Sequence, residues 1–246
     1  MVPEGVVYIP IRLAGLDLSI SSNIVWIFVA SALLVLFLLG SSRKLKLRRI
    51  GPLQNVLEYT VEFVEKQIIE PAELDGKAWT PFFLSLFLYV LFNDLIGIIP
   101  GTHATTSNIN ATGALALLVF FIGNGLRMWR KGIGGFAKSL IPEGVSGPLL
   151  VLMFPIEIIS QLLKPFSLAI RLFANMTGDH LLLVTIIGFI MLFQNIAVSI
   201  VSIGGAVVII LFEIFIDVIQ AYVFAFLSAM LVSECLEEMP ETVRTT

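Results

Sequence analysis

Arg171 lies inside a long apolar stretch, in the run Lys164-Pro165-Phe166-Ser167-Leu168-Ala169-Ile170-Arg171-Leu172-Phe173-Ala174-Asn175. Between Pro148 and Val232 the basic side chains are Lys164 and Arg171, and the acids are Glu157, Asp179, Glu213 and Asp217. A charge near the centre of a bilayer costs about 2.5–3.5 kcal/mol on insertion scales. A chain that keeps a guanidinium there uses it to handle ions, charges or protons. The plainer reading is a snorkelling or salt-bridged structural arginine.

More polar groups share that helix. At about 100° per residue, Glu157, Lys164, Ser167, Arg171 and Asn175 fall on one broad face. Pro165 is expected to kink or loosen the helix and free a carbonyl for a serine or water. His180 lies on roughly the opposite side, about 13 Å beyond Arg171. A polar stripe that passes Glu157 and Arg171 and resumes on another face at His180 suits two offset aqueous inlets better than one straight pore. Further on, Glu213, Asp217 and Gln220 are spaced i, i+4, i+7 on one face of an otherwise apolar helix. Packed as a hairpin, that stripe is expected to face His180, Asn175 and Arg171. A carboxylate beside an imidazole inside a membrane can pass protons on near neutral pH. The alternative for Ser167 and Gln220 is interhelical hydrogen bonding, worth about 0.6 kcal/mol each. It suits Glu213 and Asp217 less, because two acids one turn apart repel unless solvated or partly protonated.

These residues need helices that cross a membrane, and the composition supplies them. Hydrophobic residues make up 57% of the 246-residue chain and charged ones 13%, against about 25% charged in soluble domains. The chain reads as an all-α, polytopic membrane protein forming a single membrane domain. Apolar runs place a first span at 24–41, a second at 81–99 and a third at 113–130, all roughly perpendicular to the bilayer. From Leu149 to Val232 apolar character is almost continuous. Breaks at Gly188 and Gln194-Asn195 divide it into two long tilted helices, 149–190 with Arg171 and 195–236 with Glu213 and Gln220. Residues 52–70 form an amphipathic surface helix, with Leu53, Val56, Leu57, Val61, Val64 and Ile68 on one side. Its other side is acidic, which favours docking against protein over anionic lipid.

Arg43, Lys44, Lys46, Arg48 and Arg49 follow the first span, and Arg127, Arg130, Lys131 and Lys138 follow the third. Basic loops face the cytoplasm, so the N-terminus is expected outside and the C-terminus inside. The acidic tail, Glu234 to Glu241, weighs little in that rule. The loop Gly101–Gly113 is then external, and its sequon Asn110-Ala111-Thr112 reads as a chance match. A net charge of −3 with clustered basic residues gives no sign of nucleic-acid binding. The single cysteine, Cys235, allows neither an internal disulfide nor a cysteine-based metal site. No cofactor or metal site is expected. No cleavable signal is expected at the N-terminus, and the first span is expected to direct insertion.

Lys164-Pro165-x-Ser167-Leu168-x-x-Arg171-Leu172-Phe173-x-Asn175-Met176 is similar to the signature of subunit a of rotary F-type ATP synthases. Gln220-Ala221-Tyr222-Val223-Phe224 resembles that family's glutamine-containing last helix. Lys131-Gly132-Ile133-Gly134-Gly135-Phe136 and Asn93-Asp94-Leu95-x-Gly97-x-x-Pro100 also fit, so the resemblance covers nearly the whole chain. It implies a non-catalytic stator channel subunit beside a rotating ring of c subunits, with peripheral-stalk b subunits as further partners in a bacterial plasma (inner) membrane. By position, Arg171 matches the arginine essential for coupling, and Asn175 and Gln220 match flanking polar residues. Glu157 matches an acid near the cytoplasmic half-channel. His180 and Glu213 match a pair that in some bacterial members holds an acid and a histidine. Here the pair is exchanged, as in mitochondrial members, which leaves each residue's separate role open. The resemblance does not decide between proton and sodium coupling.

A rival reading is a self-contained secondary transporter or channel with Arg171 holding an anionic substrate. It predicts paired broken helices and internal symmetry, which this sequence does not display. A membrane scaffold without transport would leave the embedded acids, His180 and Arg171 without a purpose.

Overall fold

The structure, a computed structural model, describes residues 7–9, 12–13, 16–17, 20–42, 51–99, 102, 105–139 and 148–237. The basic run 43–49, most of the loop from Gly101 to Ala104 and the tail beyond Glu237 lie outside the described residues. The membrane part is wholly helical. Helix α1 spans Ser22–Ser42, α2 Pro52–Val64, α3 Gly76–Gly97, α4 Ile109–Ser139, α5 Pro148–Phe193 and α6 Ile196–Glu237. Before them stand four short strands that the sequence reading lacked. β1 (Val7–Ile9) pairs antiparallel with β4 (Ile20–Ser21), and β2 (Arg12–Leu13) with β3 (Leu16–Asp17).

Five helices are long and apolar enough to cross a membrane: α1, α3, α4, α5 and α6. Large apolar side chains of α1, α4, α5 and α6 are widely exposed, among them Phe28, Phe121, Leu162, Phe166, Leu211 and Phe215. Such continuous apolar surface is suited to lipid or to another membrane protein, not to water. Helix α3 starts at Gly76, before the apolar run, with the Asp75 side chain accepting from the Lys77 backbone N–H at 3.2 Å. This N-cap lets the helix begin in polar sequence. Helix α4 extends past the expected end at residue 130 and is interrupted at Gly132, with φ 68° and ψ 172°. That φ is in the left-handed region, where a side chain would clash and glycine does not.

The two long helices contain 46 and 42 residues. At 1.5 Å per residue they run about 69 and 63 Å, roughly twice a ~30 Å hydrocarbon core. Helix α5 continues through Pro155, Pro165 and Gly188 to Phe193, so the expected break at Gly188 does not occur. A lone glycine weakens a helix by only about 1 kcal/mol. The reversal falls at Gln194 and Asn195. Gln194 adopts φ 46°, and the Asn195 carboxamide oxygen caps α6 by accepting from Ala197 N–H at 2.9 Å.

Helix α6 packs against α3, α4 and α5. Ala221, Ala225, Ser228, Ala229 and Val232 on it are fully buried, and small residues let neighbouring helices approach closely. Gly123 of α4 shows how closely: a Cβ there would meet Cys235 Sγ at 3.1 Å. Phe83, Val90, Val119, Leu172 and Phe224 fill the space between these helices. Helix α2 continues as a wide π turn, Glu65–Ile69, which rotates its later side chains. Ile68 and Ile69 are therefore buried, as Val64 before the turn is, while Val56 stays exposed although the sequence put it on the apolar side. Phe63 meets Phe87 and Tyr222 in tilted ring contacts, with centroids 5.7 and 5.6 Å apart, tying α2 to α3 and α6. On its open side Lys66 pairs with Glu62 at 2.6 Å, and that carboxylate raises the lysine's pKa above its ordinary value.

Candidate functional site

The polar residues divide into two regions of the same bundle. One is closed. Glu213 and Asp217 of α6 are buried, Asp217 completely, and Gln220 follows one turn later at 7% exposure. Helix α5 brings Asn175, Asp179 and His180, each half-buried. Helix α3 brings Asn93 and a completely buried Asp94. Electrostatic interactions link the four carboxylates in a chain of pairs: Asp94 with Asp217 and Asp179, Glu213 with Asp179, and Asp217 with Glu213 and Asp179.

Few hydrogen bonds satisfy this cluster. Asp94 Oδ1 accepts from the Thr106 hydroxyl at 2.6 Å. Asp94 Oδ2, Asp179 Oδ2, Glu213 Oε2, both Asp217 oxygens, Asn175 Nδ2 and Gln220 Nε2 are buried without a hydrogen-bond partner among the described residues. Leaving such atoms unmet costs about 1–3 kcal/mol each. Like charges this close also repel, and water or shared protons relieve both costs. A cluster with unused acceptors on three helices suits the passage of protons or small cations. Among the described residues no group of three or more acids, histidines or cysteines has the geometry to hold a metal ion.

The other region is open. Arg171 is exposed, and with Lys164, Ser167, Leu227, Met230 and Glu234 it lines a groove of about 430 Å³ between α5 and α6. Lys164 Nζ donates to Glu234 Oε2 across that groove as an ion pair. Leu168 and Leu172 on the adjacent face of α5 are buried, which orients Arg171 outward. The groove is mostly apolar, so the guanidinium meets whatever covers this face.

The expected residues are thus separated. Glu213, Asp217 and Gln220 share the buried face of α6, and the α5 acid that Glu213 feels is Asp179, the residue before His180. Ser167 and Arg171 share the open groove, about 12 Å along α5 from Asp179. Glu157 stands further toward the start of α5, accepting a long hydrogen bond of 3.5 Å from Gln161. The sequence reading missed Asp94, Asp179 and Thr106. Asp94 is the one charged residue in the apolar run 81–99, so the criterion that singled out Arg171 also applies to it. Asp179 was overshadowed by His180. Thr106 is in a polar loop and carried no signal of its own.

Residues 24–233 match the family described as ATP synthase A chain. The chain is 39% identical to the ATP synthase subunit a of Magnetococcus marinus over 93% of its own length and 88% of that protein's. It is 37% identical to the ATP synthase subunit a of Chelativorans sp., covering 93% of each chain. With the ATP synthase subunit a of Chloroherpeton thalassium it shares 35% identity over 94% of its length and 71% of the relative's.

Proposed function

From the premise that this chain belongs to the ATP synthase A chain family, and so is a multi-pass membrane-sector subunit of an F-type ATP synthase, we propose that it is the stator channel of that complex. Two offset half-channels load and unload carboxylates on a ring of c subunits. The observation that carries this reading is the division just described: a closed acid cluster, to which α3 adds Asp94, and an open arginine groove, both built on α5 and α6. A single continuous pore would need one lining, and a sealed scaffold would need neither region.

In this mechanism an ion enters from outside and reaches the cluster of Asp179, His180, Glu213 and Asp217. It then neutralises a ring carboxylate held against the hairpin. After nearly a full rotation it leaves past Arg171 on the side of Ser167 and Glu157. Arg171 stabilises the ionised ring carboxylate in a low-dielectric gap and repels a free cation that would run directly between the inlets. Asn175 and Gln220 orient groups between the two regions. Each elementary charge that falls through the membrane potential supplies about 2.3 kcal/mol per 100 mV. The ring converts that work into torque, and this subunit carries out no bond chemistry. The coupling ion is a proton or sodium. The basic residues after the first and third spans support a cytoplasmic C-terminus in a bacterial inner membrane, with stalk b subunits holding the chain fixed.

The test is ATP-driven ion pumping by the assembled complex carrying Arg171→Ala. Assembly is expected to persist while pumping is lost. Pumping at the unsubstituted rate overturns the channel reading, and failure to assemble points to a structural arginine instead.

A further inference from the structure

The closed cluster reaches a third helix, and from there it meets a cavity lined by helices that do not line the Arg171 groove. Asp94 is completely buried, and its Oδ1 accepts from Thr106 at 2.6 Å. Its Oδ2 is buried with no hydrogen-bond partner among the described residues, and the charges it feels are those of Asp217 on α6 and Asp179 on α5. Thr106 in turn lines a cavity of about 470 Å³ between α1, α3 and α4, where its polar neighbours are Ser85, Tyr89, Asn93 and Thr112. Asn93 Oδ1 is also buried and accepts no hydrogen bond among the described residues. The rest of the cavity wall is apolar, so water is held at the end where Asn93 and Thr106 offer it partners.

We propose that Thr106 and Asp94 form the outer arm of the inlet, carrying protons from the cavity between α1, α3 and α4 into the acid cluster on α5 and α6. The two residues share no helix, and a buried hydrogen bond joins them at the boundary between cavity and cluster. A hydroxyl both donates and accepts. Thr106 can therefore give its proton to the ionised Asp94 at Oδ1 as its oxygen takes one from a protonated water in the cavity, which restores the hydroxyl and leaves a neutral water. The proton on Asp94 then passes to Asp217 or Asp179, directly or through one water, and Asp94 returns to its starting form.

This proposal rests on the reading of the chain as the stator channel, and the test separates the two. ATP-driven proton uptake and ATP synthesis are measured in sealed vesicles holding the whole complex, normalised to the amount assembled. Thr106→Val keeps the shape and removes the hydroxyl, and is expected to slow both at least about tenfold, since positioned proton-transfer groups are commonly worth 10²-fold or more. Thr106→Ser, which keeps the hydroxyl, is expected to retain most of the rate. A cysteine placed at Thr112, at the cavity wall, is expected to make proton flux sensitive to an impermeant thiol reagent applied from outside. Unsubstituted rates in Thr106→Val overturn the proposal, as does equal loss in Thr106→Val and Thr106→Ser, which marks a packing role. Insensitivity of Thr112→Cys to the external reagent overturns the location of the mouth. Normal pumping by Arg171→Ala in the same vesicles would instead remove the channel reading itself.

Discussion

The acid cluster and the arginine groove share α5 and α6, with α3 adding Asp94 to the cluster, and are built in opposite ways. In the cluster, side chains that water would readily solvate are buried: Asp94 and Asp217 completely, Glu213 and Gln220 nearly so. In the groove, Arg171 and Ser167 are exposed and the ion pair of Lys164 with Glu234 stands half in the open. Burial without partners makes charge unstable where it sits and so favours its transfer. Exposure on an apolar face leaves a fixed guanidinium available to a partner that closes over it. One region is complete within this chain apart from its waters and protons. The other needs a second surface.

That contrast is broken most directly at Arg171. If the groove acts by presenting a guanidinium to a ring carboxylate, Arg171→Lys is expected to fail almost as badly as Arg171→Ala. An ammonium is a more strongly hydrated point charge and lacks the planar, two-pronged donor geometry. A loss of about 10²-fold in ATP-driven pumping is expected, the scale seen when one preorganised stabilising donor is removed. Coupled pumping within a few-fold of normal would show that any cation suffices and that the geometry of the groove is incidental.

The closed region is tested through the separation of function from stability. Asp217→Leu removes a buried carboxylate whose two oxygens have no hydrogen-bond partner among the described residues. Pumping is expected to fall about tenfold or more. The thermal stability of the assembled complex is expected to hold or rise, because exchanging an unsatisfied buried polar group for an apolar one removes a penalty of about 1–3 kcal/mol. A drop in melting temperature alongside the loss of pumping would recast Asp217 as structural glue.

Chemical access sharpens the same contrast with a smaller effect. In a background lacking Cys235, a cysteine at Ser167 is expected to react quickly with an impermeant thiol reagent from the cytoplasmic side when the ring is stripped away, and slowly when it is present. A cysteine at Gln220, 93% buried by the native side chain, is expected to react slowly in both states. Equal protection of the two sites by the ring would mean that the regions are not differently built.

Much of this division was legible in the residues. Apolar runs located every crossing helix, and the isolated charge at Arg171 with the i, i+4, i+7 spacing of Glu213, Asp217 and Gln220 located both polar regions. Rotation about the helix axes was not legible. The expectation that the α6 stripe would face Arg171 assumed that polar residues on adjacent helices seek one another. The buried leucines at 168 and 172 instead turn Arg171 outward, and the acids turn inward toward α3. The contribution of α3 was hidden for another reason. Asp94 becomes part of the cluster only through long-range packing of α3 on α6 and through the turn at Thr105–Ser107, and no local pattern encodes such a contact. The through-going helix at Gly188 is a third case, where the cost of one glycine is too small to stop 46 residues of helix.

The weakest effect is expected at the ion pair of Lys164 with Glu234, although it spans the groove beside Arg171. Its side chains are 40% and 48% exposed, and pairs that open to solvent contribute only about 0–1 kcal/mol. Removing the lysine charge by Lys164→Met should therefore change assembly and stability little. If the groove works by leaving Arg171 as its unopposed cation, pumping should change by no more than about fivefold, the factor that 1 kcal/mol represents. The change should shrink further as salt is raised from low to physiological concentration, because an exposed pair is screened over about 8–10 Å. Glu234→Gln leaves Lys164 without its counter-charge and adds a free positive charge near Arg171, so it should weaken pumping more than Lys164→Met. The double change should return the rate toward that of Lys164→Met alone. A large, salt-independent loss in Lys164→Met would instead make the ion pair part of a closed structure, and the groove would no longer differ in kind from the acid cluster.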